Sequence, residues 1–125
     1  MKNQKKRVYF NYKNKKIILK KCNEFEKFLG LMFVKKKNAR ALLFEFKKPT
    51  RISIHSFFVF FPFVSIWLDD KNKVIDINPL IKPFRFSFRP KEKFYKIIEI
   101  PINERYREVI QLLVGDKRFS KDLKR

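Results

Sequence analysis

Apolar and polar positions along the chain change period several times, and each change predicts an element. The first segment, "RVYFNYKNKKIILK", places β-prone runs at Tyr9–Tyr12 and Ile17–Leu19 on either side of "KNK". Asn14 suits a tight turn, so this segment predicts a hairpin. In "NEFEKFLGLM" the period becomes helical, with Phe25, Phe28, Leu29 and Met32 at i, i+3, i+4, i+7. Asn23 is placed to cap this helix, Glu26 to complete a capping box, and Gly30 to stop it.

The period then shortens to two. "ALLFEF" predicts a strand and "KKPT" a turn at Pro49. "RISIHSF" predicts a half-buried strand, with Ile52 and Ile54 on one side and His55 on the other. From Phe57 to Leu68 only Ser65 is polar, and Pro62 divides the run. Proline is not tolerated inside a central strand, so the run predicts two adjacent core strands, the second being "FVSIWLD". "DDKNK" is a turn and "VIDI" the return strand. "FRFSFR" alternates Phe84, Phe86 and Phe88 with Arg85, Ser87 and Arg89, and "FYKIIEI" is a strand stopped by Pro101. Asn103 is placed to cap a second helix, with Tyr106, Val109, Ile110 and Leu113 at helical spacing and Gly115 ending it.

Seven or eight short strands and two short helices result. Turn signals every 8–12 residues fit a mainly β fold, a compact β-sandwich or jelly-roll-like barrel. At 125 residues, one β-rich domain is expected over 1–118, with a mobile basic tail at 119–125. The Phe57–Leu68 run is too short to span a bilayer, which takes about 20 apolar residues in a helix. A cytoplasmic protein with no integral membrane segment is the expectation.

Charge changes the picture. The net charge is +20, from 32 Lys and Arg against 12 Asp and Glu. Residues 1–40 carry 14 basic and 2 acidic groups, residues 41–81 carry 5 and 4, and residues 82–125 carry 13 and 6. The apolar centre is nearly neutral and the flanks are cationic. Such an excess attracts polyanions. Lys, Asn, Phe and Ile share A/T-rich codons, but codon drift does not explain 23 Lys beside 7 Glu.

The order of several short motifs carries a resemblance. "GLMF" (30–33), "ALLFEF" (41–46), "IHSFFVFFPFVSIWLDDKNKVIDI" (54–77), "KPF" (82–84), "KIIEIP" (96–101) and "GD" (115–116) follow one another. In that order they resemble the archaeal branch of the uncharacterised family called domain of unknown function 192, over about residues 17–118. The resemblance implies a compact, mainly β fold of the sandwich or jelly-roll sort, with a short helix before "GLMF". It implies no mechanism. Many bacterial relatives carry export signals, and no such signal is evident here. The archaeal pattern has an acidic residue two places after the proline, where this chain has Val64. The usual Trp after Lys-Pro is Phe84.

Candidate chemistry is sparse. One Cys and one His do not make a zinc site, and "DDKNK" reads as a turn rather than a cation loop. Two glycines build no phosphate loop. Cys22 and His55 are the only nucleophile–base pairing of that kind, with no spacing that links them. No metal, cofactor or catalytic residue is assigned. The favoured expectation is a non-enzymatic binding module for a polyanion, best guess nucleic acid. Its ligands would be Lys5, Lys6, Arg7, Lys13, Lys15 and Lys16 in the first cluster and Arg85, Arg89, Lys91 and Lys93 in the second. The alternatives are a small-ligand-binding or hydrolytic β-sandwich, with a pocket at His55, Phe57, Pro83 and Phe84, and a homo-oligomerising structural module that hides surplus Phe.

Overall fold

A computed structural model describes residues 7–56, 58–85 and 88–114, with the backbone alone described for Phe25, Phe28, Leu29 and Val114. Lys5, Lys6, Phe57, Phe86, Ser87, Gly115 and the 119–125 tail, all named above, lie outside the described residues or are described in none of their side-chain detail. Six strands form one mixed sheet: β1 (Arg7–Tyr12), β2 (Lys15–Lys21), β3 (Leu42–Thr50), β4 (Phe63–Leu68), β5 (Val74–Ile81) and β6 (Phe94–Pro101). Their spatial order is β1-β2-β3-β6-β4-β5. The helices are α1 (Glu24–Leu29) and α2 (Arg107–Val114), the latter continuing a 3-10 turn at Glu104–Tyr106. The mainly β class with two short helices is therefore what the chain adopts. The strands form an open sheet with β1 and β5 at its edges.

The centre of the sheet is β4 beside β6. Every residue of β4 is buried. Val64, Ile66 and Leu68 point to one face, where they meet Ile98, Ile100, Leu43 and the Tyr106, Val109 and Ile110 side of α2. Phe63 and Trp67 point to the other, with Leu42, Phe44, Phe94 and Ile97. A strand with two apolar faces must be covered twice, since each face gains stability only when removed from water. α2 covers the first face. Irregular segments around residues 31–39 and 54–61 supply Leu31, Ala39, Ile54, Val59 and Phe61 to the second.

Local signals set the boundaries. Asn23 accepts from the Glu26 N–H at 2.8 Å, and Glu26 Oε1 accepts from the Asn23 N–H at 2.9 Å, so the capping box forms as expected. Gly30 ends α1 at φ +53°. A side chain there would be strained. Asp69 Oδ1 accepts from the N–H groups of Lys71 and Lys73, which makes "DDKNK" the β4–β5 turn.

Four expectations are corrected. "KKPT" lies within β3 rather than ending it, and the β3–β6 register shifts between Glu45 and Thr50, an irregularity that accommodates Pro49. The described residues Arg51–Ser56 and Phe58–Phe61 belong to no strand; one isolated bridge joins Ile54 to Phe88, and Ile52 is exposed. From Phe58 to Leu68 the run is thus one core strand preceded by an irregular segment, in which Phe58 and Phe60 face outward. In "FRFSFR" the described Phe84 and Arg85 lie in no strand, and Phe88 makes only the isolated bridge to Ile54. Phe84 sits at φ +58°, and the Phe84 and Arg85 N–H groups bond to Ser56 rather than to a ladder. Finally, Asn103 makes no side-chain cap; its Nδ2 donates to the Lys36 and Ala39 carbonyls, tying that loop to the start of the helical segment.

The β1–β2 turn places Lys13 at φ +47° and Asn14 at φ +67°, the backbone of a type I′ hairpin turn. Asn-Gly fits that turn best. Lys13→Asn with Asn14→Gly is expected to stabilise the fold by about 0.5–1 kcal/mol, read as a higher midpoint in urea with unchanged slope.

Candidate functional site

A groove of about 730 Å³ lies between the β1–β2 hairpin and the start of α2. It exists because β2 meets β3 only through Lys20–Leu42 and Lys21–Leu43. The earlier part of β2 diverges, and Arg40, Ala41 and the helical segment from Glu104 form the opposite wall. Arg7, Lys15, Lys16, Lys20, Arg40, Arg105 and Arg107 line it, against the carboxylates of Glu104 and Glu108.

Those carboxylates are already engaged. Lys15 Nζ lies 2.7 Å from Glu108 Oε2, and its hydrogen bond and charge hold that carboxyl below its usual range. Arg107 pairs with Glu104 at 3.4 Å. Lys20 pairs with Glu26 at 3.0 Å. Arg7, Lys16, Arg40 and Arg105 have no ion pair among the described residues. The groove is thus a site of unbalanced positive charge. Its floor is fixed by the Tyr106 hydroxyl, which accepts from the Ala41 N–H at 2.7 Å and joins the helical wall to the entry of β3.

The cations singled out from sequence fall, among the described residues, in three places. Arg7, Lys15 and Lys16 line the groove. Lys13 is at the hairpin turn, with its ammonium 5.5 Å over the Tyr12 ring. Arg85, Arg89, Lys91 and Lys93 are exposed in the segment that covers the opposite face of the sheet. Arg89 lines a second cavity of about 330 Å³ with Trp67, Asp76 and Asn78. Lys20, Arg40, Arg105 and Arg107 joined the groove without being singled out from sequence. Nothing in the periodicity of "KKKNAR" or "ERYRE" places them beside the N-terminal hairpin. His55 and Phe84 are exposed and Pro83 is half-buried; neither cavity is lined by any of the three.

A buried polar row lies on the second face of the sheet. Glu99 is opposite Ser65 in the β4–β6 register. Both are buried, and the Ser65 hydroxyl and the Trp67 indole N–H have no partner among the described residues. Burial pushes the Glu99 carboxyl up to about 8, so it is mostly protonated at neutral pH. Cys22, also buried, has its thiol pushed up to about 12 by burial and by Glu26. A thiol that stays protonated is a poor nucleophile. Neither cavity is lined by Cys22, Ser65 or Glu99. This row is part of the core, and it gives no support to a Cys22–His55 nucleophile. No group of metal-ligating residues occurs among the described residues, and none of their helices is long and apolar enough to cross a membrane.

Comparison with known proteins places this geometry in a family. The DUF192 model, "Uncharacterized ACR", matches residues 12–117. The chain belongs to the DUF192 family. It is 42% identical over 91 residues to a UPF0127 protein of Pyrococcus horikoshii, across 71% of this chain and 74% of that one. Two crystal structures share the fold. A protein of unknown function from Novosphingobium aromaticivorans superposes with a TM-score of 0.66 at 14% identity, covering 82% of this chain and 76% of its own. A putative transcription regulator from Sinorhizobium meliloti superposes at 0.69 with 13% identity, covering 82% and 84%. The DUF192 resemblance read from the ordered motifs is therefore correct, and the family's uncharacterised status leaves function to the geometry.

Glu99 gives a test of the core. Its ordinary value is 4.5, against about 8 in the fold. Between those values the folded chain keeps a proton that the unfolded chain has released, so stability falls as pH rises from about 4.5 to about 8 and stays low above. The loss is on the order of a few kcal/mol. Glu99→Gln is expected to melt higher than the native chain at pH 8–9, by roughly 5 °C or more, with the two converging toward pH 4.5. Parallel melting curves across that range would show that Glu99 is not held as the neutral acid.

Proposed function

We propose that this chain is a non-enzymatic binding module that holds a polyanion, namely a nucleic-acid phosphate backbone, in the groove between β2 and α2. The observation that carries the reading is the set of four groove cations, Arg7, Lys16, Arg40 and Arg105, without ion-pair partners among the described residues. Phosphate contacts of this kind give affinity without sequence preference, through release of condensed counterions. The hairpin adds an aromatic. Tyr9 is exposed, lies opposite Ile18 of the groove wall, and carries the Lys16 ammonium 4.7 Å from its ring centroid. A ring with an adjacent cation is the unit on which single strands stack. The Sinorhizobium protein that shares the fold is described as a putative transcription regulator; at 13% identity it lends the fold, and the groove carries the argument.

Binding of a labelled single-stranded oligonucleotide, followed by anisotropy against salt, tests this reading. Four phosphate contacts predict a slope of log K against log salt of about −3, and Arg7→Ala with Arg40→Ala reduces it to about −1.4. A flat salt response, or a slope that the double variant leaves unchanged, contradicts the assignment to the groove.

A further inference from the structure

On the opposite side of the sheet, the irregular segments that cover the second face carry four phenylalanines turned outward. Phe33 is 64% exposed, Phe58 51%, Phe60 57% and Phe84 52%. Phe58 and Phe60 flank the buried Val59 in one segment, and both are exposed. Phe33 stacks on Phe58, with centroids 5.2 Å apart, and Phe60 meets Phe84 edge to face at 5.7 Å. The two pairs form an apolar knob whose four rings are each more than half exposed.

Three of these residues have left-handed backbones: Phe33 at φ +64°, Phe58 at +61° and Phe84 at +58°. Bulky residues rarely adopt that conformation, and where they do the surroundings hold them there. Here the buried Ser56 is central. Its carbonyl accepts from the Phe84 N–H at 2.8 Å, and its hydroxyl donates to the Lys82 carbonyl and accepts from the Arg85 N–H at 2.7 Å. The Phe33 N–H donates to the Phe58 carbonyl at 2.9 Å. The fold fixes the backbone of the knob while leaving its rings in water.

Charge identifies the occupant. The loops that carry the rings, residues 31–39, 51–62 and 82–91, contain eight Lys and Arg and no Asp or Glu. Lys35, Lys82 and Arg85, close to the rings in sequence, are all exposed. A second copy of a chain with net charge +20 is repelled from such a surface. A base platform needs open ring faces, whereas Phe33 and Phe58 each turn one face on the other. Rings without a polar edge, bordered by cations, match the acyl boundary of a membrane beneath anionic headgroups.

We propose that this face docks peripherally on an anionic lipid bilayer, with Phe33, Phe58, Phe60 and Phe84 entering the acyl boundary and Lys35, Lys82 and Arg85 on the headgroups. This surface is separate from the groove and does not depend on the polyanion reading.

Vesicle flotation with the full chain tests the proposal, using phosphatidylcholine with and without phosphatidylglycerol. The native chain is expected to float with the anionic vesicles only. Phe33→Gly, Phe58→Gly and Phe60→Ser together leave the charge unchanged, and glycine accepts the left-handed backbone. This variant is expected to lose at least about tenfold in partitioning while keeping oligonucleotide binding. Arg7→Ala with Arg40→Ala is expected to do the reverse. Phe60→Trp supplies a second readout, a blue shift of emission on anionic vesicles but not on neutral ones. The proposal is overturned if the native chain does not float, if the ring-deleted variant floats as well as the native chain, or if the new tryptophan emission does not move. Loss of oligonucleotide binding on ring deletion would assign the knob to bases instead, and conversion of a dimer to a monomer would assign it to a second copy.

Discussion

The burial of β4 on both faces is the constraint from which the rest of the structure follows. A strand whose six side chains are all buried needs a partner on each edge and a layer on each face. β5 and β6 take the edges. One face receives the apolar stripe of α2. The other receives loop segments and the 3-10 turn Lys36–Asn38, tied down by Ser56, by the Ile54–Phe88 bridge and by Asn103. Cations are confined to what lies outside these layers, which is why both candidate surfaces are basic.

The two surfaces differ in how the charge is used. In the groove, a diverging β2 and a helical segment bring together cations that are far apart in sequence, and two carboxylates are already paired off by neighbours. On the loop face, acids are absent from the contributing stretches altogether, and aromatic rings project between the cations. Repulsion among like charges opposes compactness, and the apolar centre offsets it. The buried, protonated Glu99 adds no further charge to the interior at neutral pH.

Much of the fold was legible in local pattern. The first hairpin, the capping box of α1, the Asp69 turn, the doubly buried "FVSIWL" strand and the core stripe of α2 follow from spacing and turn chemistry alone. What misled was alternation without a partner. Arg51–Ser56 and Phe84–Arg85 have the period of strands, yet left-handed Phe84 and the hydrogen bonds to Ser56 hold them as irregular cover. Periodicity cannot register such long-range hydrogen bonds. The same limit applies to the groove. Arg7, Lys15 and Lys16 were evident as a basic cluster, whereas Arg40 and Arg105 reach it only through the topology that sets β3 and α2 beside the hairpin.

Pro62 divides the apolar run, with Phe63–Leu68 in the core and Phe58 and Phe60 at the surface. Native-state hydrogen exchange resolved by residue measures this directly. Amides of Val64–Leu68 are expected to exchange only through global unfolding, with those of Phe58 and Phe60 exchanging orders of magnitude sooner. Equal protection on both sides of Pro62, or faster exchange in Val64–Leu68 than in the preceding segment, would contradict it.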